Sequence, residues 1–194
     1  MRMSRRLYFF LLIPALLSLS GCGYRLTSNP DFSSVITGRK VAIPVFTNRS
    51  YRANVGAVLA GSLVDEFARR SGGKVVGENA AELVLTGTVL SYTSEAVSYT
   101  AADKVKEYLA TVTAEATLTE KNTRKVVWKG VLSWSQVYPV NTSFELRQTN
   151  IVFLNSTSVP QNNIALQQNN EEAAIREICT HLAQQIYERV TAGF

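Results

Sequence analysis

The feature that most constrains the fold is a strict two-residue alternation along residues 108–120. Even positions up to 118 carry Tyr, Ala, Val or Leu, whereas the odd positions include Thr111, Thr113, Thr117 and Thr119. Successive side chains of a β-strand point to opposite faces of the sheet, so the two kinds of side chain are separated. The pattern predicts a strand with one apolar face and one face of hydroxyl groups.

A second stretch, Val126–Tyr138, follows a turn and is predicted to pair with that strand as an antiparallel hairpin. The register that sets apolar against apolar pairs Lys121 with Lys125, Leu118 with Trp128, Ala116 with Gly130, Ala114 with Leu132 and Val112 with Trp134. A slip by one residue would turn both tryptophans toward the threonines and lose a large apolar burial. Ser133 then joins the hydroxyl face, which is expected to face water.

The residues before this hairpin predict a strand, a helix and a second strand. Lys40–Phe46 is an apolar strand in which Pro44 indicates an edge position or a bulge, because proline has no N–H to donate. Apolar side chains recur every four residues along Val55–Arg70 and predict a helix, with Asn54 as its N-cap. Leu83–Leu90 is predicted to be a strand that extends to position 99.

The C-terminal part is predicted to end in a second helix over Asn170–Val190, which carries one apolar stripe. Asn170 is the expected N-cap, and Glu171 and Glu172 suit the positive end of the helix. The stretch Pro139–Gln168 shows no period and is rich in polar residues. Two interpretations remain open for it, a functional loop or a partly helical segment.

The elements therefore follow in the order strand, helix, strand, strand, strand, helix. This order predicts an α+β two-layer sandwich, in which two helices cover one face of a four-stranded mixed sheet. The strand–helix–strand unit implies a parallel pair joined by a right-handed crossover. Residues 39–194 are expected to form this single domain, which is long enough to bury a core.

The N-terminus has the layout of a secretory signal: three arginines, an apolar run at Leu7–Leu19, and two small residues before Cys22. A membrane-spanning helix needs ~20 apolar residues, so the run is too short to span. The site resembles a bacterial lipobox, in which the cysteine receives acyl chains such as palmitate. We expect residues 1–21 to be a signal peptide cleaved between Gly21 and Cys22, and residues 22–38 to be a lipidated tether.

The net charge of +5 overstates the basic character of the mature chain. Three of the 20 Lys and Arg residues lie in the predicted signal, which leaves 17 basic against 15 acidic residues. No run of Lys and Arg with interleaved aromatic residues is present. The charge therefore gives no reason to expect a nucleic-acid partner.

The residue types that carry catalysis are scattered along the sequence. If Cys22 is lipidated, Cys179 has no partner and is expected to be a buried apolar side chain. His181 is expected at the surface, because a helix turns it away from Cys179. Asp65 and Glu66 are interpreted as solvated charges on a helix. No nucleophile with a base, no metal-ligand set and no phosphate loop is found, so neither an enzyme, a metal nor a cofactor is predicted.

Basic residues are predicted at both ends of the sheet. The far end carries Arg49, Arg52, Lys104 and Lys106, and the near end carries Arg39, Lys40, Lys74, Lys121, Arg124 and Lys125. One interpretation is contact with lipid phosphates or with an acidic partner. The other, which we favour on sequence alone, is that these residues lie in solvated turns and protect sheet edges.

Several short motifs resemble the lipopolysaccharide-assembly lipoproteins of the LptE family. They are Cys22-Gly23-Tyr24-Arg25-Leu26 after the cleavage site, Ile43-Pro44-Val45-Phe46-Thr47-Asn48 in the first strand, Glu107-Tyr108 opening the alternating strand, and Ala165-Leu166-Gln167-Gln168-Asn169-Asn170-Glu171-Glu172 before the last helix. They occur in the family's order along most of the mature chain.

The resemblance implies a periplasm-facing lipoprotein of the outer membrane that forms a one-to-one complex with a large β-barrel, LptD. It would plug the barrel, assist its assembly and help to place lipopolysaccharide in the outer leaflet. The loop between the second and third strands, with Lys104 and Lys106, is the candidate lipopolysaccharide contact. Gln168 stands where some relatives place a basic residue. The hydroxyl face, with Thr111, Thr113, Thr117 and Ser133, is expected to meet the polar lumen wall.

Three rival functions make different demands on the sequence. The first strand and its flanks are also similar to those of other envelope lipoproteins, namely a secretion-channel subunit or an activator of a cell-wall synthase. A periplasmic enzyme would need a catalytic cluster in Pro139–Gln168, where Glu145 and Arg147 have no suitable base beside them. A soluble lipid carrier would need a large apolar cavity, whereas small residues fill the predicted sheet–helix interface.

Overall fold

The structure is a computed structural model that describes residue 36 and residues 38–70, 74–140 and 161–192, with residues 161–165 described by their backbone only. Contacts within the chain place all of these residues in one compact unit, Asp31–Phe194. The predicted signal peptide, the lipidation site at Cys22 and most of the predicted loop lie outside the described residues.

Among the described residues, the regular elements with defined bounds are six strands, two α-helices and one short 3-10 helix. In chain order they are β1 (Lys40–Ala42), β2 (Thr47–Asn48), α1 (Val55–Arg69), β3 (Lys74–Val75), the 3-10 helix (Glu78–Ala80), β4 (Leu83–Tyr99), β5 (Val105–Glu120), β6 (Val126–Pro139) and α2 (Gln161–Ala192). Within the described part of the chain, neither helix combines the length and the apolar character that a membrane span requires.

The strands form one mixed sheet in the order β3-β1-β4-β5-β6, and β2 pairs with β4 on the same side as β1. The short strands β1, β2 and β3 pair in parallel, whereas β4, β5 and β6 form an antiparallel meander. The predicted parallel pair around α1 is confirmed, because Val41 lies opposite Leu83.

The prediction of a four-stranded sheet is wrong, since the sheet has six strands. Of the predicted strand Lys40–Phe46, the first three residues form β1; the chain leaves the ladder around Pro44, which has no N–H to donate, and pairs with β4 again as β2, just beyond Phe46. The sixth strand is β3, whose two residues pair with β1. A two-residue strand gives almost no periodicity, so the sequence pattern could not reveal it.

The predicted register of the β5–β6 hairpin is confirmed over most of its length. Leu118 lies opposite Trp128, and Val112 lies opposite Trp134. The two predicted pairs between them are also present. Near the turn the prediction is wrong, because Thr119 lies opposite Val126 and leaves Val127 as an extra residue. This bulge explains why the backbone of Lys125 pairs with Glu120, at 2.9 Å, instead of with Lys121.

The core lies on the even-numbered face of β5. The side chains of Ala110, Val112, Ala114, Ala116 and Leu118 are fully buried. They share one apolar cluster with both helices, which contribute Leu59, Leu63, Phe67, Ile178, Leu182 and Ile186. The fold is therefore an α+β domain in which one row of strand side chains and both helices build a common core.

One predicted helix cap is confirmed in position only, and the other is absent. Asn54 precedes α1, but its backbone is left-handed with φ 65°, and its side chain makes no capping hydrogen bond. Asn170 lies inside α2, which starts at Gln161, so Glu171 and Glu172 do not sit at a helix end. Side chains that looked like caps make tertiary contacts instead: the Asn170 amide donates to the Pro139 carbonyl at 3.0 Å.

Candidate functional site

The odd-numbered face of β5 carries the hydroxyl groups that the sequence predicted, and β6 adds its own. Thr111 and Ser135 lie opposite each other with their hydroxyl oxygens 2.8 Å apart, and Thr113 and Ser133 with theirs 3.1 Å apart. The Ser133 hydroxyl also donates to the Val112 carbonyl at 3.3 Å. The hydroxyls thus satisfy one another across strands, which makes the face polar without adding charge.

This hydroxyl face continues toward the β5–β6 turn as a charged row. Thr117 lies between Thr86 and Lys129 in the sheet. The Lys129 ammonium lies 3.1 Å from the Glu115 carboxylate, an exposed ion pair that cancels both charges. We define the outer face as the exposed side of β4, β5 and β6 that holds these residues. The predicted barrel-facing residues all lie on it.

The opposite end of the outer face is mixed in character. Leu109 lies between Glu95 and Val137, and Val137 is 46% exposed. Tyr99 at the end of β4 is 57% exposed and lies opposite Val105. The outer face therefore has hydroxyl pairs at its centre, with charged and apolar side chains on either side of them.

Lys104 and Lys106 lie at the tip of the β4–β5 hairpin, and both are exposed. The Thr100 hydroxyl accepts hydrogen bonds from the backbone N–H groups of Ala102, at 3.3 Å, and Lys104, at 3.2 Å. The Lys106 carbonyl accepts from the Val140 N–H at 2.9 Å, which ties β6 to the hairpin. The backbone of the tip is thus fixed, while both ammonium groups face solvent.

The other two predicted basic residues lie elsewhere. The Arg49 N–H donates to the Val89 carbonyl at 2.9 Å, in the middle of β4. At ~3.3 Å per residue, the ten residues from Val89 to Tyr99 span ~30 Å. The structure therefore does not bring Arg49 and Arg52 together with Lys104 and Lys106. The cause is the length of β4, of which the sequence signal was strong only up to Leu90.

Arg52 instead belongs to a junction between the loop before α1, β4 and α2. Its guanidinium lies 3.5 Å from Glu171 and 4.0 Å from Glu172. The Tyr92 hydroxyl donates to Glu171 at 2.7 Å, and burial together with this carboxylate raises the pKa of Tyr92 well above its ordinary value. The charge of Arg52 is thus engaged within the fold.

An open cleft of about 360 Å³ adjoins this junction. It is lined by Arg52, Ala53, Asn54, Val55, Val58, Glu172, Ile175 and Arg176. The acidic and basic groups of its wall are close to each other, with Arg176 4.0 Å from Glu172. The sequence did not reveal this junction, because both glutamates follow Asn170 in a pattern that is typical of a helix terminus.

The interpretation of Glu66 as a solvated charge is wrong, because its side chain is only 1% exposed. Arg69 donates a hydrogen bond to it, and the Arg70 Nε lies 2.5 Å away as an ion-pair contact. Arg70 also lies over the Tyr187 ring, 5.3 Å from its centroid, and its carbonyl accepts from the Tyr187 hydroxyl at 2.9 Å. This cluster, in which Glu66 is buried and both arginines are exposed, joins the C-terminal ends of α1 and α2 and is a structural element.

The two residues examined for catalysis lie in the helix layer. Cys179 is fully buried, as expected, and burial raises the pKa of its thiol to about 12. His181 is half-buried, and its ring stacks on Trp134 with centroids 4.7 Å apart. Among the described residues, no group of three His, Cys, Asp or Glu side chains could hold a metal ion.

The near end of the sheet holds a second polar network. Arg39 contacts Glu82 at 3.2 Å and Glu120 at 2.7 Å. The hydrogen bonds from Thr123 and Arg39 lower the pKa of Glu120. Lys121 donates to the Glu78 carbonyl at 2.6 Å. Two of the predicted near-end cations are therefore bound within the fold.

Taken together, the residues define a class of protein: a small α+β domain that exposes a sheet face with paired hydroxyl groups. Residues 38–190 match the sequence profile of the LptE family, which is described as Lipopolysaccharide-assembly. Because the match covers most of the chain, this protein belongs to the LptE family. The resemblance found in the sequence is confirmed, and membership supports a role as an envelope lipoprotein in lipopolysaccharide assembly.

Solved structures resemble the chain in fold. Protein XCC0632 from Xanthomonas campestris superposes with a TM-score of 0.50 at 12% identity, over 80% of this chain and 85% of that chain. The rare lipoprotein B from Shewanella oneidensis gives a TM-score of 0.45 at 13% identity, over 79% of this chain and 94% of that chain. A sequence search of curated proteins finds no match.

Proposed function

We propose that this protein is a lipid-anchored lipoprotein on the periplasmic side of the outer membrane, which binds one copy of an LptD-like β-barrel, plugs it and assists its assembly. In this role it helps to place lipopolysaccharide in the outer leaflet. Membership of the LptE family supports a role in lipopolysaccharide assembly, and the polar outer face supports binding inside the barrel. The role requires binding alone, so the protein is proposed to be no enzyme.

The observation that carries the proposal is the contrast between the two sides of β5. One side is buried in a core shared with both helices, which supports a layer of helices on the side opposite the hydroxyls. The other side presents hydroxyl pairs and one neutralised ion pair at its centre, with Glu95 and Glu107 toward the β4–β5 hairpin. The lumen of a large barrel is polar and wet. A face of this kind is hydrated before insertion and costs less to desolvate than a face of unpaired charges.

Lys104 and Lys106 supply the proposed contact with lipopolysaccharide. Both ammonium groups are exposed at a hairpin tip whose backbone is fixed by Thr100. Phosphate groups bind lysine through charge-assisted hydrogen bonds. Arg52 is a weaker candidate, because Glu171 and Glu172 already engage its guanidinium.

Site-directed crosslinking tests the barrel contact. Thr113→Cys and Ser133→Cys, introduced one at a time, are expected to crosslink to the barrel in membranes. Ala68→Cys is the matched control, since Ala68 is exposed on α1, away from the outer face. A barrel crosslink from Ala68→Cys alone would refute the assignment of the outer face.

Affinity purification of the lipidated protein tests the partner. We expect a large barrel protein at equal stoichiometry. Recovery of a cell-wall synthase or of a ring of identical subunits would instead support the rival envelope functions.

Cys22→Ala tests the anchor. The domain should leave the membrane in cells that lack the barrel, because the acyl chains on Cys22 then no longer hold it.

A further inference from the structure

The β6 strand forms an edge of the sheet, and it is long. It covers Val126–Pro139, whereas the strand at the opposite edge, β3, has two residues. No strand in the described part of the chain pairs with the free side of β6. A free edge offers a row of backbone donors and acceptors to any extended polypeptide.

The register shows which backbone groups of β6 point outward. The Val140 N–H donates to the Lys106 carbonyl, so residues of even number on β6 bond to β5. In an antiparallel ladder the residues between them direct N–H and C=O to the other side. The Asn170 amide on α2 confirms this direction, since it donates to the outward carbonyl of Pro139. The outward set is Lys129, Val131, Ser133, Ser135 and Val137.

Between Lys129 and Val137 this edge lacks most of the devices that normally protect a sheet edge, since the bulge at Val127 and Pro139 lie beyond the two ends of this stretch. Natural edges are short, bulged, interrupted by proline or charged. From Lys129 to Val137 the ladder is regular, and its one charged residue is Lys129, which pairs with Glu115. Val131 is 53% exposed and Val137 46%. An unprotected edge of this length would promote aggregation unless a strand pairs with it.

We propose that β6 binds an extended segment of the barrel partner by adding it to the sheet as a further strand. This inference rests on the proposed function. All wall strands of a closed barrel already pair on both sides, so the segment must come from a loop or a terminal arm of the barrel chain. The proposal therefore excludes the barrel wall as the source of the backbone contacts at this edge.

The surroundings of the edge define what the segment carries. A narrow groove of about 170 Å³ separates β6 from α2, lined by Gln136–Pro139, Asn170, Ala173, Ala174 and Glu177. Side chains of the segment that face α2 must therefore be small or polar. A second copy of this chain fits poorly, because its own α2 would meet this groove beside the first.

A pair of substitutions at one position tests the proposal in the full-length chain, coexpressed with the barrel and purified from membranes. Ser135→Pro removes an outward N–H, whereas Ser135→Ala keeps it. Both variants lose the hydrogen bond between the Ser135 and Thr111 hydroxyls. A difference between them therefore reports on the backbone N–H of residue 135. Ser135→Ala should show only the loss of one hydroxyl pair of the outer face, and Ser135→Pro should recover about tenfold less barrel than Ser135→Ala, since blocking a strand removes several backbone hydrogen bonds.

The outcomes separate the two proposals. If the wild type recovers no barrel, the proposed function fails. If it does and both Ser135 variants recover it equally, the strand addition is wrong while the function stands. A photocrosslinker at Val137 decides the matter if Ser135→Pro fails to fold. A crosslink to a loop or terminal arm of the barrel supports the proposal. A crosslink solely to the wall, to residues 141–160 or to a second copy overturns it.

Discussion

The two faces of β5 share one backbone and serve different purposes. On the even-numbered face, Val112 and Leu118 are fully buried and fix the pairing of β5 with its neighbours. On the odd-numbered face, Thr113 and Thr117 are half-buried and meet other hydroxyls. A register slip would exchange the two sets, so the apolar face sets the position of every hydroxyl on the outer face. Stability thus depends on one face of β5, and the proposed recognition of the barrel depends on the other face.

The largest expected contrast between the faces comes from Leu118→Ala. Leu118 is fully buried opposite Trp128, and a cavity in such a place costs about 2–5 kcal/mol. Chemical denaturation should show this loss, with barrel recovery of the folded fraction unchanged. A loss comparable to that of an exposed residue would contradict the description of this face as the core.

Gly87→Ala sharpens the comparison from within the core face. Gly87 lies opposite Ala116, and a Cβ there would meet the Phe46 ring at 2.1 Å and the Glu115 carbonyl at 2.5 Å. Overpacking of this kind costs about 1–3 kcal/mol. Gly61→Ala on α1 is the control: its Cβ meets nothing within 4 Å, and alanine in a helix should stabilise by about 0.5–1 kcal/mol. The midpoint temperature of thermal unfolding should fall for Gly87→Ala and rise for Gly61→Ala.

Thr113→Ala tests the outer face. It removes the hydroxyl pair with Ser133, which is worth about 0.2–1 kcal/mol between strands. The free energy of unfolding should therefore change little, while association with the barrel weakens. Denaturation and barrel recovery, measured on the same preparation, check both halves. A stability loss as large as that of Leu118→Ala would show that the outer face is structural.

The smallest effect is expected from pH, at the end of β5. Hydrogen bonds from Thr123 and Arg39 lower the pKa of Glu120 in the folded state. The ionised form therefore stabilises the fold above the pKa of the unfolded chain, and this contribution is lost as pH falls through the folded value. Glu120→Gln should be less stable than the wild type at neutral pH and nearly equal to it in acid. If the wild type and Glu120→Gln are equally stable at every pH, the hydrogen bonds of Glu120 with Thr123 and Arg39 do not stabilise the fold.

What the sequence revealed depended on the range of the interaction. The β5–β6 register followed from residues within one hairpin, because apolar burial penalises each alternative. The start of α2 was missed because Asn170-Glu171-Glu172 has the composition of a cap, whereas the fold uses these side chains to contact Pro139, Tyr92 and Arg52.

Contacts between distant segments explain the other misses. The burial of Glu66 depends on α2 passing beside the end of α1, which no local pattern encodes. The position of Arg52 near α2 has the same origin. The six-stranded sheet required Pro44 to divide a strand, and a proline in an apolar run predicts a bulge as readily as a break.

The meander of β4, β5 and β6 has a kinetic consequence. Its strands are neighbours in the chain, whereas β1 and β2 must find β4 across the whole of α1. Contacts between chain neighbours cost less loop entropy and form earlier. We therefore expect the transition state for folding to contain the meander, with φ-values higher at Val112 in β5 than at Val41 in β1. During synthesis from the N-terminus, β1 and β2 would form their pairing with β4 only after β4 has been made.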